Sequence, residues 1–437
     1  MRIQHRNTGG FDMFYGVTRY SLFSPGSLSW KTSSNGVFKS PDDYMGYLFS
    51  ERRLQLREEM FFTRSVPALA AMAEAHDYTH FVMYSGLLPQ RHQEVVFAAA
   101  AKYPFLVPVE WNDVVRGTGI EEMQPLIEQD LAGKVGADDG VQPVAWFRLD
   151  DDDVLAADYL ERLETYRTLG HVGMAVSFGL GLTAYRTNHE LVNLREYYHP
   201  KSAQGMAFIS AYEPGKGRLD INAPGPHDGV DQVMPTILDS REHMFFQVRH
   251  GDQDSTLNNT PYERIAASLA RLDKLPATRA AGISAEKWPT LYEDIIRGEP
   301  AVHELSFPGA EPLRLSTETA LVFSFVPEIA EGLLEFEFEF ESAQELTGAF
   351  AVVSYELRGA DGAEVEELGL KLGLQKSPEY GMYRLAWSRE SHGVVRHSLP
   401  LPEGLKIAGI TLRGKKSQPA DVYIRWCEPR VVSLHAG

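Results

Sequence analysis

Residues 143–153, PVAWFRLDDDD, join an apolar run directly to four consecutive carboxylates. The run has the length and composition of a buried strand, and similar runs alternate with helix-like segments from residue 11 to about residue 250. Such alternation is typical of βαβ units around a mainly parallel sheet that is covered on both faces. The sequence therefore predicts an α/β domain over residues 1–300.

The elements of this domain are predicted from the spacing of apolar residues and from turn signals. The predicted strands are residues 11–19, 78–85, 105–111 and 143–149. The predicted helices are residues 54–73 with a bend near Pro67, 87–101, 123–132, 156–169, 261–275 and 287–297. A turn-rich loop at residues 224–231 is predicted to lead into a further helix over residues 232–238.

After about residue 300, the sequence changes to strict alternation of apolar and polar residues. Leu333–Phe340 reads LLEFEFEF, which places Phe336, Phe338 and Phe340 on one face of a strand. The opposite face, which we expect to be solvated, carries Glu335, Glu337 and Glu339. We predict an all-β sandwich or jelly-roll accessory domain over residues 301–437, with its boundary near residues 298–305 and a carbohydrate-binding or assembly role.

Further strands of this second domain are predicted at residues 351–357, 365–374, 383–388, 407–413 and 422–426. Asp361-Gly362 lies between the first two and predicts a hairpin. Most aromatic side chains of the domain are expected in its core, and some could stack on sugar rings. The candidates are Tyr355, Tyr383, Trp387 and Trp426.

Composition limits the class of protein. The formal net charge of −18 over 437 residues argues against a protein that binds nucleic-acid phosphates or anionic lipid. The single cysteine, Cys427, excludes a disulfide within the chain and a zinc site built on several cysteines. We see no signal peptide and no apolar stretch of about 18 residues that would span a membrane, so we predict a cytoplasmic protein.

The four carboxylates, Asp150–Asp153, are the segment with the clearest chemistry. Ligands of open α/β sheets bind beyond the carboxyl ends of the strands, and a cation lowers the cost of adjacent negative charges. Mg²⁺ typically uses one or two carboxylates together with substrate phosphates. On an extended chain Asp150 and Asp152 would point one way, and Asp151 and Asp153 the other. The alternative is a solvated acidic loop in which Asp153 only caps the next helix.

Arg148–Asp153 resembles the Asp-x-Asp signature of GT-A glycosyltransferases. Residues 10–260 resemble a bacterial rhamnosyltransferase family. The other segments that carry this resemblance are Val17-Thr18-Arg19, Arg52-Arg53-Leu54 and Val66-Pro67-Ala68-Leu69. The resemblance implies a Rossmann-like GT-A fold, a nucleotide-sugar donor, a divalent metal (Mn²⁺ or Mg²⁺) and a glycan or glycoconjugate acceptor. Rhamnose itself does not follow from it.

The resemblance also implies roles for individual residues. Asp150 would face the nucleotide ribose and help to hold the metal, and Asp152 would bind the metal. A later metal ligand, often a histidine, would be His250, although a lone histidine is more often structural. Arg148, within the motif, is predicted to bind the nucleotide sugar.

Two further predictions complete the site. Arg19 ends the first strand and could pair with a phosphate or a base edge, or form a structural ion pair. Asp228 or Asp231 could be the base that deprotonates the acceptor hydroxyl in an inverting reaction. Asp231 could equally be a helix N-cap.

Three functions remain open at this point. The first is a metal-dependent glycosyltransferase. The second is a non-catalytic glycan-binding protein that works through its C-terminal sandwich. The third is another metal-dependent phosphoryl or nucleotidyl enzyme, and the absence of a P-loop disfavours a standard kinase.

Overall fold

The computed structural model of the protein describes residues 13–25, 38–112, 123–187, 190–220, 227–251, 261–298, 311–359, 362–416 and 421–434. The chain forms two compact units. Unit 1 comprises Met1–Leu182, Tyr198–Val248 and Ser284–Tyr292, and unit 2 comprises Thr183–Tyr197, Arg249–Ile283 and Glu293–Gly437. The boundary predicted near residues 298–305 lies almost wholly outside the described residues.

Unit 1 is built on a mixed, parallel-rich sheet of eight strands with the order β11-β6-β9-β4-β1-β2-β3, in which β10 pairs with β9. Strands β4, β1, β2 and β3 run parallel, and β9 runs antiparallel between β4 and β6. The strands are β1 Phe14–Tyr20, β2 Tyr78–Ser85, β3 Leu106–Trp111, β4 Gln142–Arg148, β6 Ala175–Phe178, β9 Ala207–Glu213, β10 Arg218–Asp220 and β11 Thr236–Asp239. The α/β class predicted from the sequence is confirmed.

The helices of unit 1 match the predicted segments with small shifts at residues 54–73, 87–101 and 123–132, but the predicted helix over residues 156–169 is only six residues long and the first helix was not predicted. They are α1 Pro41–Leu48, α2 Glu51–Met60, α3 Val66–Ala73, α4 Gln90–Lys102, α5 Gln124–Lys134 and α6 Tyr159–Glu164. The bend predicted near Pro67 is a π-helical turn at Phe61–Ser65 that joins α2 to α3. Pro67 has no N–H to donate to the preceding turn, so the regular helical ladder breaks just before it.

The predicted helix over residues 232–238 is wrong. His227–Gln232 forms a 3₁₀ helix, and the chain then continues as β11, which pairs in parallel with β6. Pro235 interrupts any helix at this point, and the β-branched Thr236 and Ile237 suit a strand at the edge of the sheet. A short strand that the sequence did not reveal, β5 at Asp153–Leu155, pairs with β12 at Phe245–Arg249 through Phe245–Gln247.

Unit 2 contains two antiparallel sheets, ordered β13-β21-β15-β19 and β14-β20-β16-β18-β17. Both contribute to one apolar core, in which Phe336, Phe338 and Phe340 are buried as predicted. The strands are β13 Leu313–Leu315, β14 Ala320–Ile329, β15 Gly332–Ser342, β16 Gly348–Arg358, β17 Gln375–Ser377, β18 Gly381–Ser388, β19 His392–Leu401, β20 Lys406–Gly414 and β21 Val422–Val432. Most of β7 Leu180–Arg186 and β8 Leu191–Tyr198, and α7 Pro261–Leu272 with most of α8 Tyr292–Arg297, complete the unit.

The predicted strand over residues 365–374 is instead a helix, α9, at Gly362–Lys371. Its apolar residues Val365 and Leu368, followed by Leu372, recur at intervals of three and four, and all three pack on the core of unit 2. The predicted Asp361-Gly362 hairpin is therefore replaced by the start of a helix at Gly362, while Asp361 lies outside the described residues. Among the helices of the described segments, none is both long and apolar enough to cross a bilayer.

The expectation that the glutamate face of β15 is solvated is wrong for two of its three residues. Glu335 and Glu337 are each 1% exposed. Glu337 accepts hydrogen bonds from Arg279 at 2.9 Å and from Arg396, and Glu335 accepts from Arg430 at 2.8 Å. Buried carboxylates need such partners because desolvation of a lone charge is costly.

Segments from earlier in the chain help to cover this face. Asp273, which follows α7, accepts from Arg384 at 2.7 Å and from Arg195 of β8 at 3.2 Å. Arg195 also donates to the carbonyl of Arg396 in β19. Within unit 2, β8 is thus joined to the first C-terminal sheet by the hydrogen bond from Arg195 to the carbonyl of Arg396, and to the segment after α7 by the buried ion pair of Arg195 with Asp273.

We expect Glu337→Gln to destabilise the protein strongly. The change leaves Arg396, which is 1% exposed, without its carboxylate, and breaking a buried pair in this way costs about 3–5 kcal/mol. Urea unfolding should be compared with Glu341→Gln on the same strand. That change removes only a solvent-exposed pair with Arg425, worth about 0–1 kcal/mol. Equal midpoints for the two variants would contradict the role given to Glu337.

Candidate functional site

The acidic run lies at the carboxyl edge of the parallel strands of unit 1. Val17 of β1 pairs with Arg148 of β4, and the N–H of Leu149 donates to the carbonyl of Val17 at 3.0 Å. The Thr18 hydroxyl donates to the carbonyl of Leu149 at 2.9 Å. These bonds fix the exit of β4 next to the end of β1, where Arg19 lies.

The run is folded as a turn and not as an extended chain. Asp151 and Asp152 form the turn, and the N–H of Asp153 donates to the carbonyl of Asp150 at 3.3 Å. The Ser65 hydroxyl donates to the carbonyl of Asp153 at 2.6 Å and anchors the start of β5. Asp150 is half-buried, whereas Asp151, Asp152 and Asp153 are 5%, 8% and 2% exposed.

One arginine side chain contacts the centre of this turn. The Nη1 atom of Arg57, on α2, binds the Oδ1 atom of Asp151 and lies 2.9 Å from the Oδ2 atom of Asp152. Burial raises the pKa of Asp151 to about 6, because the attraction of Arg57 only partly offsets the loss of water and the repulsion of Asp152. The turn therefore already contains a cation supplied by the chain.

Asp153 is held by a different side chain, Gln204. Burial raises the pKa of its carboxyl well above the usual value, and repulsion by Asp152 and Asp150 adds to the effect. The Gln204 amide donates to Asp153 Oδ2 at 2.8 Å, and this hydrogen bond favours the charged form of the Asp153 carboxyl. Asp153 thus belongs to the internal packing of unit 1, next to the loop that precedes β9.

Arg19 and Arg148 lie close enough to each other to interact. Burial, together with repulsion by Arg148, lowers the pKa of Arg19 to about 10, although the attraction of Asp150 and Asp151 acts in the opposite direction. Both side chains are half-buried. The structure thus brings together three of the predicted site residues, Arg19, Arg148 and Asp150, at one edge of the sheet.

The two predicted bases lie on the 3₁₀ helix at His227–Gln232 and are largely exposed. Asp231 accepts a hydrogen bond from Lys201 at 2.8 Å, and this bond lowers the pKa of its carboxyl. The Asp228 carboxylate lies 3.1 Å from the Nδ1 atom of His227. Asp231 is not the cap of an α-helix, and the catalytic role of either residue stays a prediction.

His250, the predicted third metal ligand, is buried and follows β12 in unit 2. Its role as a ligand stays a prediction. Within the described ranges, no three His, Cys, Asp or Glu side chains are grouped so that the protein alone could hold a metal ion. Asp150 and Asp152 supply only oxygen ligands, which suits Mn²⁺ or Mg²⁺ bound through one or two carboxylates and completed by phosphate oxygens.

Sequence reasoning missed the residues that support the acidic turn. Arg57 belongs to the buried face of α2 with Arg53 and Leu54. Arginines four residues apart lie on the same face of a helix, and this spacing beside an apolar residue could have indicated buried cations. Gln204 and Lys201 lie in one loop, and that loop binds both Asp153 and Asp231. No local pattern marks them, because they act through distant partners.

The aromatic candidates of unit 2 divide into two groups. Tyr355 and Trp426 are buried, and the Arg279 guanidinium lies 4.4 Å from the centre of the Trp426 ring. Trp387 is 64% exposed at one end of β18, and Tyr383 is half-buried on the same face of that strand. Of the four candidates, only Trp387 and Tyr383 are therefore accessible to a ligand from solvent.

Comparison with known proteins assigns a family to the larger part of the chain. A family model described as "Putative rhamnosyl transferase" matches residues 13–261, more than half of the 437 residues. The matched range contains β1, the acidic turn and the 3₁₀ helix that carries Asp228 and Asp231. No curated protein matches the chain.

Proposed function

The chain belongs to the family described as "Putative rhamnosyl transferase", and from this premise we propose that it is a glycosyltransferase of the GT-A type. It would move a sugar from a nucleotide-sugar donor to a glycan or glycoconjugate acceptor in the cytoplasm. The observation that carries the proposal is the acidic turn with Arg19 and Arg148 at the carboxyl edge of a parallel-rich sheet. Ligands of open α/β sheets bind at such an edge.

The donor would be held through its nucleotide and its two phosphates. Asp150 would face the ribose, and Arg19 and Arg148 would pair with phosphate oxygens, for which the planar guanidinium is well suited. Asp150 and Asp152 would hold Mn²⁺ or Mg²⁺. When bound, such a cation offsets the negative charge that develops on the leaving diphosphate.

Transfer would proceed with inversion at the anomeric carbon. The acceptor oxygen forms a bond to that carbon as the bond to the diphosphate oxygen breaks, and the bonding electron pair leaves with the diphosphate. The hydroxyl proton passes to Asp228 or Asp231. The bond from Lys201 lowers the pKa of Asp231 and makes it a weaker base, which counts against Asp231 in this role.

The direct test is hydrolysis of the donor in the absence of an acceptor. Purified protein should release a nucleoside diphosphate from at least one member of a panel of UDP-, GDP- and dTDP-sugars, and faster with Mn²⁺ than with EDTA. A phosphoryl or nucleotidyl enzyme would release inorganic phosphate or nucleoside monophosphate. If no sugar nucleotide is cleaved under any metal condition, the transferase proposal fails.

The second candidate function, glycan binding by unit 2, is favoured by one observation. Trp387 is 64% exposed, and Tyr383 lies four residues away on the same face of β18. Exposed aromatic side chains commonly mark binding sites, because they combine a large apolar area with little entropy loss. A glycan bound there would raise the local concentration of acceptor without changing the chemistry.

We expect Trp387→Ala to weaken use of a long glycan acceptor by about 10-fold, equivalent to about 1.4 kcal/mol of lost binding, and to leave donor hydrolysis unchanged. The KM for the acceptor is the measurement. Val326→Ala is the control, because Val326 is an exposed apolar residue on β14 of the same sheet. An acceptor KM that is equal in the two variants would contradict a sugar-binding role for Trp387.

A further inference from the structure

The position of Arg57 bears on how the acidic turn accepts a cation. A single guanidinium nitrogen contacts Asp151 and Asp152 at once, and Arg57 and Asp151 are both almost fully buried. Arg57 reaches the turn from α2, which begins after Ser50. Unlike a surface pair, a buried pair of this kind is poorly screened by water and salt.

The charges around the turn are nearly balanced by the chain itself. The carboxylates are Asp150, Asp151, Asp152 and Asp153. The arginines that interact with one or more of them are Arg19, Arg53 and Arg57. The chain itself therefore relieves part of the repulsion within the run. A dication that binds Asp152 must compete with Arg57 for the same carboxylate.

We propose that Arg57 is a positioning residue that acts as the resident cation of the acidic turn and yields Asp152 to the metal when the donor binds. The proposal rests on the metal-dependent transferase function proposed above. It assigns Asp150 as the carboxylate already open to a ligand and Asp152 as the one released from Arg57. It also explains why the free protein should bind Mn²⁺ weakly and bind it well only together with the donor phosphates.

Removal of Arg57 should strengthen metal binding, whereas loss of a supporting residue usually weakens it. Without the Arg57 charge, the turn is more negative and should attract a dication more strongly. Arg57→Gln should therefore tighten Mn²⁺ binding to the free protein by about 10-fold or more, the scale of one unit charge a few ångströms away at a partly screened site. Arg57→Lys retains a cation and should stay close to the original protein.

Thermal unfolding in EDTA and in Mn²⁺ provides the first measurement. Arg57→Gln should unfold at a lower temperature in EDTA, because Asp151 loses its partner, and Mn²⁺ should raise its unfolding temperature more than that of the original protein. Arg167→Gln is the matched control. Arg167 is a buried arginine of unit 1 that pairs with Glu164 and donates to the carbonyl of Pro143, away from the acidic turn, so its loss should destabilise equally in both conditions.

Titration of free Mn²⁺ followed by electron paramagnetic resonance provides the second measurement. If Arg57→Gln does not fold, Asp151→Asn and the double variant Asp151→Asn/Arg57→Gln replace it, since the double variant buries no unpaired Asp151 carboxylate. The double variant should bind Mn²⁺ more tightly than Asp151→Asn alone. Equal or weaker binding, or equal shifts in unfolding temperature for the original protein and Arg57→Gln, would overturn the proposal.

These outcomes separate this inference from the transferase proposal. Tighter Mn²⁺ binding without hydrolysis of any sugar nucleotide would retain Arg57 as the resident cation and reject the transferase. Hydrolysis of a donor with no difference in Mn²⁺ affinity between the variants would retain the transferase and reject the role of Arg57.

Discussion

A chain that ends at residue 298 is expected to lose the structure of residues 183–187, 190–197 and 261–283. These segments belong to unit 2 together with the C-terminal sheets, and the shortened chain would keep them without most of that unit. Leu269 and Leu272 of α7 pack with Leu333 and Val432, which the shortened chain lacks. Loss of such a core exposes an apolar helix face that cannot remain folded alone.

The truncation also removes the partners of two buried charged residues, which should destabilise these segments further. Arg195 donates to the carbonyl of Arg396, and Asp273 accepts from Arg384, so the truncation removes a buried partner of each. We expect amide hydrogens of β8 and α7 to exchange without protection in the shortened chain, and the protein to bind the apolar dye ANS. A chain ending at residue 434 is the control. Unchanged protection of β8 and α7 in the shortened chain would contradict the discontinuous unit 2.

Asp150→Asn and Asp152→Asn are each expected to reduce sugar transfer by about 10²–10³-fold, the usual effect of removing one group that stabilises transition-state charge. Asparagine keeps the shape of the side chain but removes the charge that would bind the metal. The fold should survive, because Asp150 is half-buried and Arg57 keeps Asp151 as a partner when Asp152 is neutral. Initial rates and unfolding temperatures should be measured on the same samples.

Asp138→Asn is the control for these two variants, because Asp138 is an exposed carboxylate of unit 1 outside the proposed site. It should leave both rate and stability unchanged. A fully active Asp150→Asn or Asp152→Asn in buffer supplemented with Mn²⁺ would remove that residue from the metal site.

The parallel strands of unit 1 could be predicted because each is a short apolar run that local turn signals delimit. β2 was predicted at residues 78–85 and lies at Tyr78–Ser85. The acidic turn could be located for the same reason, since it directly follows β4 in the sequence. The local pattern gave the wrong element at α9, which was predicted as a strand. A short run of apolar residues fits either a strand or a helix, and only its packing partners decide between the two.

The environment of the charged residues could not be predicted, because it depends on contacts between distant parts of the chain. Arg57 is 94 residues from Asp151 in sequence. Glu337 was expected in solvent because β15 alternates perfectly, and Arg279, 58 residues earlier, is one of the residues that bury it. Alternation predicts which side chains share a face, but not whether another element covers that face.

The most direct test of the central claim is calorimetric titration of UDP, GDP and dTDP into the protein with Mn²⁺ and with EDTA. If the acidic turn is the metal-dependent donor site, at least one nucleotide should bind about 10-fold or more tightly with Mn²⁺, a difference of ~1.4 kcal/mol or more. Asp150→Asn should abolish that difference. Binding that is equal in EDTA and unchanged in Asp150→Asn, or no binding of any of the three, would contradict the account.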